Sequence, residues 1–401
     1  MQVMTKAKSN MLKYSNIKSP IININKARGA ITVIMALVML GLALASALYT
    51  AKSKMLDVRI ANAEIRKNEA ILSAESGLKR AMIQLGAEDI DAGVINSDIV
   101  TSNNDFEVTF DLIGTPEVES NCPNEKPKTL RLIEVSSVGK SRDATGSRTH
   151  AQKVGISPFT CGTPDSAITV AGTIGVGGAF TIGANPNGGG LGVPLSVWSD
   201  AEVSLGGTGA TCGLEEFDGN YCSGSPYSDS TLEANDILEN DAGFPPDLLA
   251  YTFGVASANY QELKDQAEVI SSCASLPNTG TQVTTGFYWV EGGCTLNANK
   301  IVGSVDEPVI IVVEDGLTKL NGGAIIFGLV FSFETTPGSG GDVQMVGGAT
   351  VRGAFISDHD IGGSAGTFNT RYDAQVLENI SQAGGPKLSK VEIIPGSWKD
   401  F

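Results

Sequence analysis

The sequence predicts an α+β protein that is mostly β, in which a long N-terminal membrane-spanning helix precedes a small antiparallel sheet and a large glycine-rich β domain. Three observations lead to this fold class. An uncharged apolar run extends from Ala30 to Tyr49, apolar and polar residues alternate in segments between 106 and 156, and most of the 48 glycines follow residue 165. These patterns are typical of a membrane-length helix, of half-buried strands, and of short strands joined by tight turns.

Segment 1–29 is a basic leader. Its charged residues are all positive, and it ends in Arg28-Gly29. The uncharged segment 30–51 is long enough to cross the roughly 30 Å hydrocarbon core of a bilayer as one helix. Because positive charge holds a flank in the cytoplasm, we expect a single-pass protein with the chain after residue 52 outside. An uncleaved anchor and a processed leader both remain open at this point.

The helix is expected to continue through 52–88 as an amphipathic extension. Apolar residues recur on one face at steps of three, four or seven. They are Leu56, Ile60, Ala63, Ala70, Ala74, Leu78, Ala81 and Leu85. A continuous helix from Ala30 to Leu85 would span about 84 Å at the standard rise. Gly41 and Ala45 either permit close approach of a neighbouring helix or are ordinary small residues of an anchor.

Three short motifs lie in and around this helix. They are Arg28-Gly29-Ala30-Ile31-Thr32-Val33-Ile34, Glu64-Ile65-Arg66-Lys67-Asn68-Glu69-Ala70 and Ala74-Glu75-Ser76-Gly77-Leu78-Lys79-Arg80-Ala81. Over residues 26–85 the chain resembles the PilX-type minor pilins of type IV pili, which are related to the large K-type pseudopilins. The resemblance implies that a prepilin peptidase cuts after Gly29, so that Ala30 becomes the mature N-terminus. Most pilins have Glu at the fifth mature position, where this chain has Ile34.

The resemblance implies a structural role and no enzymatic activity. The chain would be a minor pilin-like subunit that contributes to pilus assembly or to tip-mediated adhesion. Helix residues Ile31, Ile34, Gly41 and Ala45 would pack against other pilins or minor pilins. The subunit would lie in the bacterial inner membrane with its C-terminal domain outside the cytoplasm, and in the extracellular pilus after assembly. A surface or a glycan is a further possible ligand, and a type II secretion pseudopilin is an alternative.

Charge and cysteine content narrow the function classes further. The chain carries 44 acidic and 28 basic residues, a net charge of −16, and loss of the leader would make it about −22. Nucleic-acid binding is not expected, since phosphate contacts need a basic patch. With only two histidines and no Cys-x-x-Cys spacing, a zinc site is not expected either. The sequence therefore predicts no metal and no cofactor.

Six cysteines fall in the part predicted to be outside the cytoplasm, and an even number in an exported chain favours disulfides. They are Cys122, Cys161, Cys212, Cys222, Cys273 and Cys294. Pairing in order along the chain, 122 with 161, 212 with 222 and 273 with 294, is the simplest of the 15 possible pairings.

Segment 89–164 is expected to form the small antiparallel β region. Phe106, Val108, Phe110 and Leu112 alternate with polar residues, and 130–135 and 149–156 have the composition of further strands. The segment resembles the sheet that packs on the helix in pilin-like folds.

Segment 165–401 is expected to be a parallel β-solenoid with an insertion at about 206–300. Short β-branched runs separated by glycines, such as 167–176, 309–313 and 349–356, favour stacked turns with small residues at the corners. No strict repeat is present, and a β-sandwich is the alternative.

A catalytic candidate is the sequence Ser357-Asp358-His359-Asp360, with Arg352 and Arg371 near it along the chain. Clustered carboxylates with a basic partner are the groups that glycan-cleaving β-helix enzymes use. A charged surface turn is the commoner explanation of such a motif. A membrane-anchored β-helix protein that binds or cleaves glycans is therefore the alternative function. Acidic residues at 218, 229 and 236 lack the order of a calcium-binding loop.

Overall fold

The computed structural model describes residues 28–87, 105–115, 117–118, 122, 128–176, 180–205, 210–222, 236–278, 286–345, 347–364, 368–381 and 388–401. The predicted leader up to residue 27, most of segment 88–105 and Asp229 lie outside these residues. The chain divides into two compact units, 1–65 and 66–401. We call them the N-terminal and C-terminal units and describe each by itself.

The elements are as follows. The helices are α1 Arg28–Ala87, α2 Leu214–Asp218, α3 Leu248–Phe253, α4 Tyr260–Lys264 and α5 Ala374–Ser381, with 3-10 turns at Ser257–Asn259 and Cys273–Ser275. The first strands are β1 Phe106–Gly114, β2 Glu117–Val118, β3 Lys128–Thr129, β4 Arg131–Lys140, β5 Ser147–Pro158, β6 Ile168–Val170, β7 Ile174–Val176, β8 Phe180–Gly183, β9 Val197–Ser199, β10 Val203–Leu205, β11 Ala210–Cys212 and β12 Ile237–Leu238. The later strands are β13 Glu268–Ile270, β14 Gly286–Glu291, β15 Cys294–Leu296, β16 Ile301–Val302, β17 Val309–Glu314, β18 Thr318–Leu320, β19 Ile325–Phe333, β20 Val343–Met345, β21 Ala349–Ser357, β22 Ile361–Ser364, β23 Phe368–Tyr372, β24 Ser389–Ile393 and β25 Lys399–Asp400.

The predicted long helix is confirmed as α1, which has 60 residues. It is long and apolar enough to cross a membrane. Two of its hydroxyl groups are satisfied by the helix itself: Ser46 Oγ donates to the Ala43 carbonyl at 2.9 Å, and Thr50 Oγ1 donates to the Ser46 carbonyl at 2.7 Å. A helix without unsatisfied polar side chains at these positions is consistent with membrane anchoring.

In the C-terminal unit, residues of α1 after position 65 pack on an antiparallel sheet with the strand order β1-β4-β5-β24. The alternation predicted at 106–112 is confirmed, because Phe106, Val108 and Phe110 are buried in this interface. Leu78, Ala81 and Leu85 from the helix complete the same core. The helix lies very close to β4: a Cβ atom at Gly139 would overlap the backbone of Ala70 and Ala74.

The glycine-rich part consists of parallel strands that pair in register. β14, β17, β19 and β21 are neighbours in the largest sheet, and Tyr288, Ile311, Val330 and Phe355 occupy successive positions across it. β15, β18 and β20 form a second parallel ladder, and β10, β7 and β22 form a third. Trp289 and Phe331 of the largest sheet are fully buried, with their rings against Tyr260 of α4 and Phe253 of α3. Parallel pairing of this kind differs from the antiparallel pairing typical of a β-sandwich.

The parallel stack is built from two parts of the chain that meet at three strand pairs, β6 with β21, β7 with β22 and β8 with β23. β6 pairs with β9 on one side and with β21 on the other, with Ile168 opposite Phe355. The segment expected to be an insertion, 206–300, contributes β11 to β15 to these sheets. Four of these strands, β11, β12, β13 and β15, have only two or three residues, which is too short for a clear strand pattern in the sequence.

The C-terminal end of the chain returns to the antiparallel sheet. β24 pairs with β5, placing Ser389 opposite Pro158, and β25 pairs with the other end of β5. The predicted division at 164/165 does not include this return.

The structure contains the disulfides Cys122–Cys161, Cys212–Cys222 and Cys273–Cys294, the same pairs that chain order suggests.

Candidate functional site

Two features of the chain are candidates for function, one in each unit. The first is the apolar surface of α1 in the N-terminal unit. Ile31 and Ile34 are exposed, the latter by 61%, and a Cβ atom at Gly41 would contact no described residue beyond its chain neighbours and its own helix backbone. Gly29, Ala30 and Ala45 lie in the same helix. Exposed apolar area of this extent is typical of a surface that contacts lipid or another protein.

The second is a polar pocket of about 370 Å³ in the C-terminal unit. Its wall includes the turn between β21 and β22 and the glycine-rich loop 334–342 between β19 and β20. The lining residues are Ala171, Glu334, Gly338, Gly340, Gly341, Asp342, Asp358, His359, Asp360 and Gly362. Asp358, His359 and Asp360 of the predicted motif therefore line a pocket, whereas Ser357 is buried and is not part of its wall.

Asp358 and His359 form a largely buried pair in this wall. His359 Nδ1 lies 3.0 Å from Asp358 Oδ1, and the same carboxylate accepts the backbone N–H of Glu334 at 3.0 Å. Burial raises the pKa of Asp358 above its ordinary value, although the bonds from His359 and Glu334 N–H act in the opposite direction. Burial alone would lower the pKa of His359, but the hydrogen bond and charge of Asp358 raise it.

The other carboxylates at this edge are also bonded to neighbouring turns. Asp360 Oδ1 accepts from the N–H of Thr173 at 2.6 Å and from its hydroxyl at 2.9 Å. Asp200 accepts the N–H of Gly172 at 2.6 Å. Glu334 Oε2 accepts the N–H of Gly338 at 2.9 Å. Carboxylates used in this way satisfy backbone donors that stacked turns would otherwise leave unpaired.

The two arginines of the predicted motif are held elsewhere. Arg371 Nε and Nη2 donate to the two oxygens of Asp218 at 2.8 and 2.7 Å, and Nη1 donates to Asp373 at 2.8 Å. Arg352 Nη2 lies 4.0 Å from Asp218, and it precedes Asp358 by six residues along β21, about 20 Å of extended chain. The hydrogen bond from Arg371 lowers the pKa of Asp218. The structure therefore does not bring the arginines to the carboxylates of the pocket.

Metal binding has no support among the described residues, where no group of three His, Cys, Asp or Glu side chains is arranged to hold an ion. Asp218 is occupied by Arg371, and Asp236 is buried with Ser196 Oγ at 2.6 Å from its Oδ2. Asp218 and Asp236, two of the three acidic residues considered for a calcium site, are thus bonded to different protein partners and not to a shared site.

A charged cluster that sequence reasoning missed lies where α4 covers the largest sheet. Glu291 and Glu314 are directly opposite each other on β14 and β17. Lys264 Nζ lies 2.6 Å from an oxygen of each carboxylate, and Trp289 Nε1 donates to Glu314 Oε2 at 2.5 Å. The usable signal was the glutamate that ends each of two apolar runs, 286–290 and 309–313.

No family model matches the chain, and no curated protein matches it. Among solved structures the chain is similar to the competence-associated pilin ComZ from Thermus thermophilus, at 14% sequence identity and a TM-score of 0.25. The match covers 84% of this chain and 97% of that one.

Proposed function

We propose that the chain is a minor pilin-like structural subunit of a type IV pilus, of the PilX type, and has no enzymatic activity. In this proposal the prepilin peptidase cuts after Gly29. The subunit is then held in the bacterial inner membrane by α1, with the C-terminal unit outside the cytoplasm, until it joins the pilus. It contributes there to pilus assembly or to adhesion at the tip.

The observation that carries the proposal is the dual character of α1. Its first half is uncharged and exposed from Ile31 to Tyr49, while Ala70, Ala74 and Leu78 in its second half are buried under an antiparallel sheet. An apolar half of this kind suits both lipid and the helices of neighbouring pilins. The sheet that covers the second half supports a pilin-like arrangement of helix and sheet.

The parallel part of the C-terminal unit fits the same role. We infer that its in-register turns form a β-solenoid, because β14, β17, β19 and β21 repeat the same position in consecutive turns. A domain of this size would be difficult to repeat along a tightly packed shaft, which favours a position at the tip. The three disulfides support function outside the cytoplasm, where such bonds persist.

A glycan-binding role of the pocket is the second candidate, favoured by its volume of about 370 Å³ and its polar lining. Glycan cleavage has less support, because Asp358 and Asp360 accept hydrogen bonds from neighbouring turns and the arginines are paired elsewhere. Asp358→Asn and Asp360→Asn variants with unchanged activity on acidic polysaccharides would dispose of the enzymatic alternative.

The proposal is tested by the mass of the mature N-terminal peptide from cells with and without the prepilin peptidase. We expect a peptide that begins at Ala30, and we expect it to disappear in the peptidase mutant. A Gly29→Val variant should keep its leader in both strains, while Gly41→Val, a matched change inside the helix, should be processed normally. An intact leader in both strains would contradict the proposal and would favour a membrane-anchored protein that binds glycans.

A further inference from the structure

His359 has acceptor oxygens at both of its ring nitrogens. Nδ1 lies 3.0 Å from Asp358 Oδ1, and Nε2 lies 3.1 Å from the Gly341 carbonyl and 3.3 Å from Ser332 Oγ. A carbonyl and an ionised carboxylate only accept hydrogen bonds, whereas a neutral imidazole has a single N–H. Full satisfaction of this geometry therefore needs a proton on each ring nitrogen or a proton shared with Asp358.

The ring also lies directly on the backbone of the glycine-rich loop 334–342. A Cβ atom at Gly340 would lie 2.6 to 2.8 Å from three ring atoms, so the ring fits only against a glycine. The beginning of the loop is held by Asp315, which accepts bonds from Thr335 and Ser339. In the later part, Glu334 Oε2 accepts the backbone N–H groups of Gly338 and Gly340. His359 Nε2 contacts the Gly341 carbonyl.

We propose that His359 is a pH-sensitive clasp, which as an imidazolium ties the turn between β21 and β22 to loop 334–342 and releases that loop when it loses its proton. Since the loop and the turn both line the pocket, release would widen the pocket at high pH. The clasp thus couples the shape of a surface pocket to the pH around the protein.

The charges around His359 determine the direction of the switch. Among the residues that the structure describes, the charged groups that act on His359 or line the pocket with it are all acidic: Asp358 and Asp360 on its own turn, Glu334 and Asp342 on the loop, and Asp315 after β17. Burial lowers the pKa of His359, but the bond and charge of Asp358, the Gly341 carbonyl and the charge of Glu334 outweigh it, so that the pKa is raised. The clasp is therefore closed at and below the ordinary histidine pKa of about 6.5, and opens as the pH rises through the higher folded value.

The test uses the full chain in detergent micelles with ¹³C-labelled imidazole carbons. The chain has two histidines, so NMR shows two imidazole Cε1 signals, and His359→Gln identifies one of them. Amide hydrogen exchange in 334–342 is followed from about pH 5.5 to 9 and corrected for intrinsic rates. The turn 303–307, which has no histidine, serves as the internal control. We expect His359 to titrate above about pH 6.5 and protection of 334–342 to fall about tenfold with the same midpoint.

Two variants make the outcome decisive. In His359→Gln, protection of the loop should be low at every pH. In Asp358→Asn the amide oxygen keeps an acceptor at Nδ1 but removes the charge, so the midpoints of titration and exchange should both move down by about one pH unit or more. If His359→Gln does not fold, the Asp358→Asn shift decides. Loop protection that does not follow the titration of His359, or a ring that stays neutral throughout the range, would overturn the proposal.

Discussion

Substitution of Lys264 by methionine removes the positive charge between two glutamates that parallel pairing places side by side. Lys264 is the last residue of α4, and its ammonium lies 2.6 Å from both Glu291 and Glu314. The ammonium also lies 6.0 Å from the centre of the Trp289 ring, and methionine keeps most of the apolar stem of lysine while removing this charge. The change therefore tests the charge and its hydrogen bonds rather than the volume of the side chain.

The expected loss is about 3 kcal/mol of unfolding free energy. Lys264 and Glu314 are largely buried, with side chains 12% and 14% exposed, and breaking one partner of a buried pair costs about 3–5 kcal/mol. Glu291 is 55% exposed, so its loss of a partner adds less than about 1 kcal/mol. Trp289 still donates to Glu314 in the variant, which places the total at the low end of this range.

The assay is urea unfolding of the full chain in detergent, followed by tryptophan fluorescence, with Trp289 inside the cluster. Glu291→Gln is the matched control and should change stability by less than about 1 kcal/mol. Glu314→Gln in the Lys264→Met background should recover about half of the loss, because it removes the unpaired buried charge and keeps an acceptor for the indole. A loss below about 1 kcal/mol, or no recovery in the double variant, would refute the reasoning.

Three further predictions follow from the C-terminal unit. Gly139→Ala should lower the unfolding free energy by about 2–3 kcal/mol, since its Cβ meets helix backbone that cannot move away; an unchanged urea midpoint would contradict this. Carboxyl NMR should give Asp143 a pKa of about 2, because Thr145 and Ser141 bond to its charged form. The stability that these bonds add is present above the ordinary carboxyl pKa and is lost as the pH falls towards 2. Thr145→Val should raise the pKa of Asp143. Arg371→Lys should cost about 1–2 kcal/mol and increase hydrogen exchange in α2, since lysine cannot bond both oxygens of Asp218; wild-type exchange there would contradict it.

The parts of the fold that were predictable are those set by local patterns. The apolar run without charge predicts the helix, and the period-2 alternation at Phe106, Val108 and Phe110 predicts β1, because both patterns report burial over consecutive residues. The same holds for the β-branched runs that became β17, β19 and β21. Their parallel pairing was predicted because the runs are short and are separated by glycines, although the sequence has no strict repeat.

The order of the strands was not predictable, because it depends on pairs distant in sequence. Ile168 pairs with Phe355, and the C-terminal Ser389 pairs with Pro158, with nothing in either neighbourhood to indicate its partner. The candidate site shows the same limit. Residues 358–360 are adjacent in sequence and line one pocket. Arg371 instead bonds to Asp218, which lies in a helix 153 residues earlier.

In-register parallel stacking also explains why the short helices α2 and α4 are where they are. Such pairing places equivalent side chains opposite each other, so Glu291 faces Glu314 and Arg352 faces Arg371. Like charges at this separation repel. In both places the opposite charge comes from the last residue of a short helix, Lys264 in α4 and Asp218 in α2. The irregular segments between strands thus neutralise charges that the stacking itself creates. Removing the counter-charge should therefore disturb the stacked strands, and not only the helix that carries it.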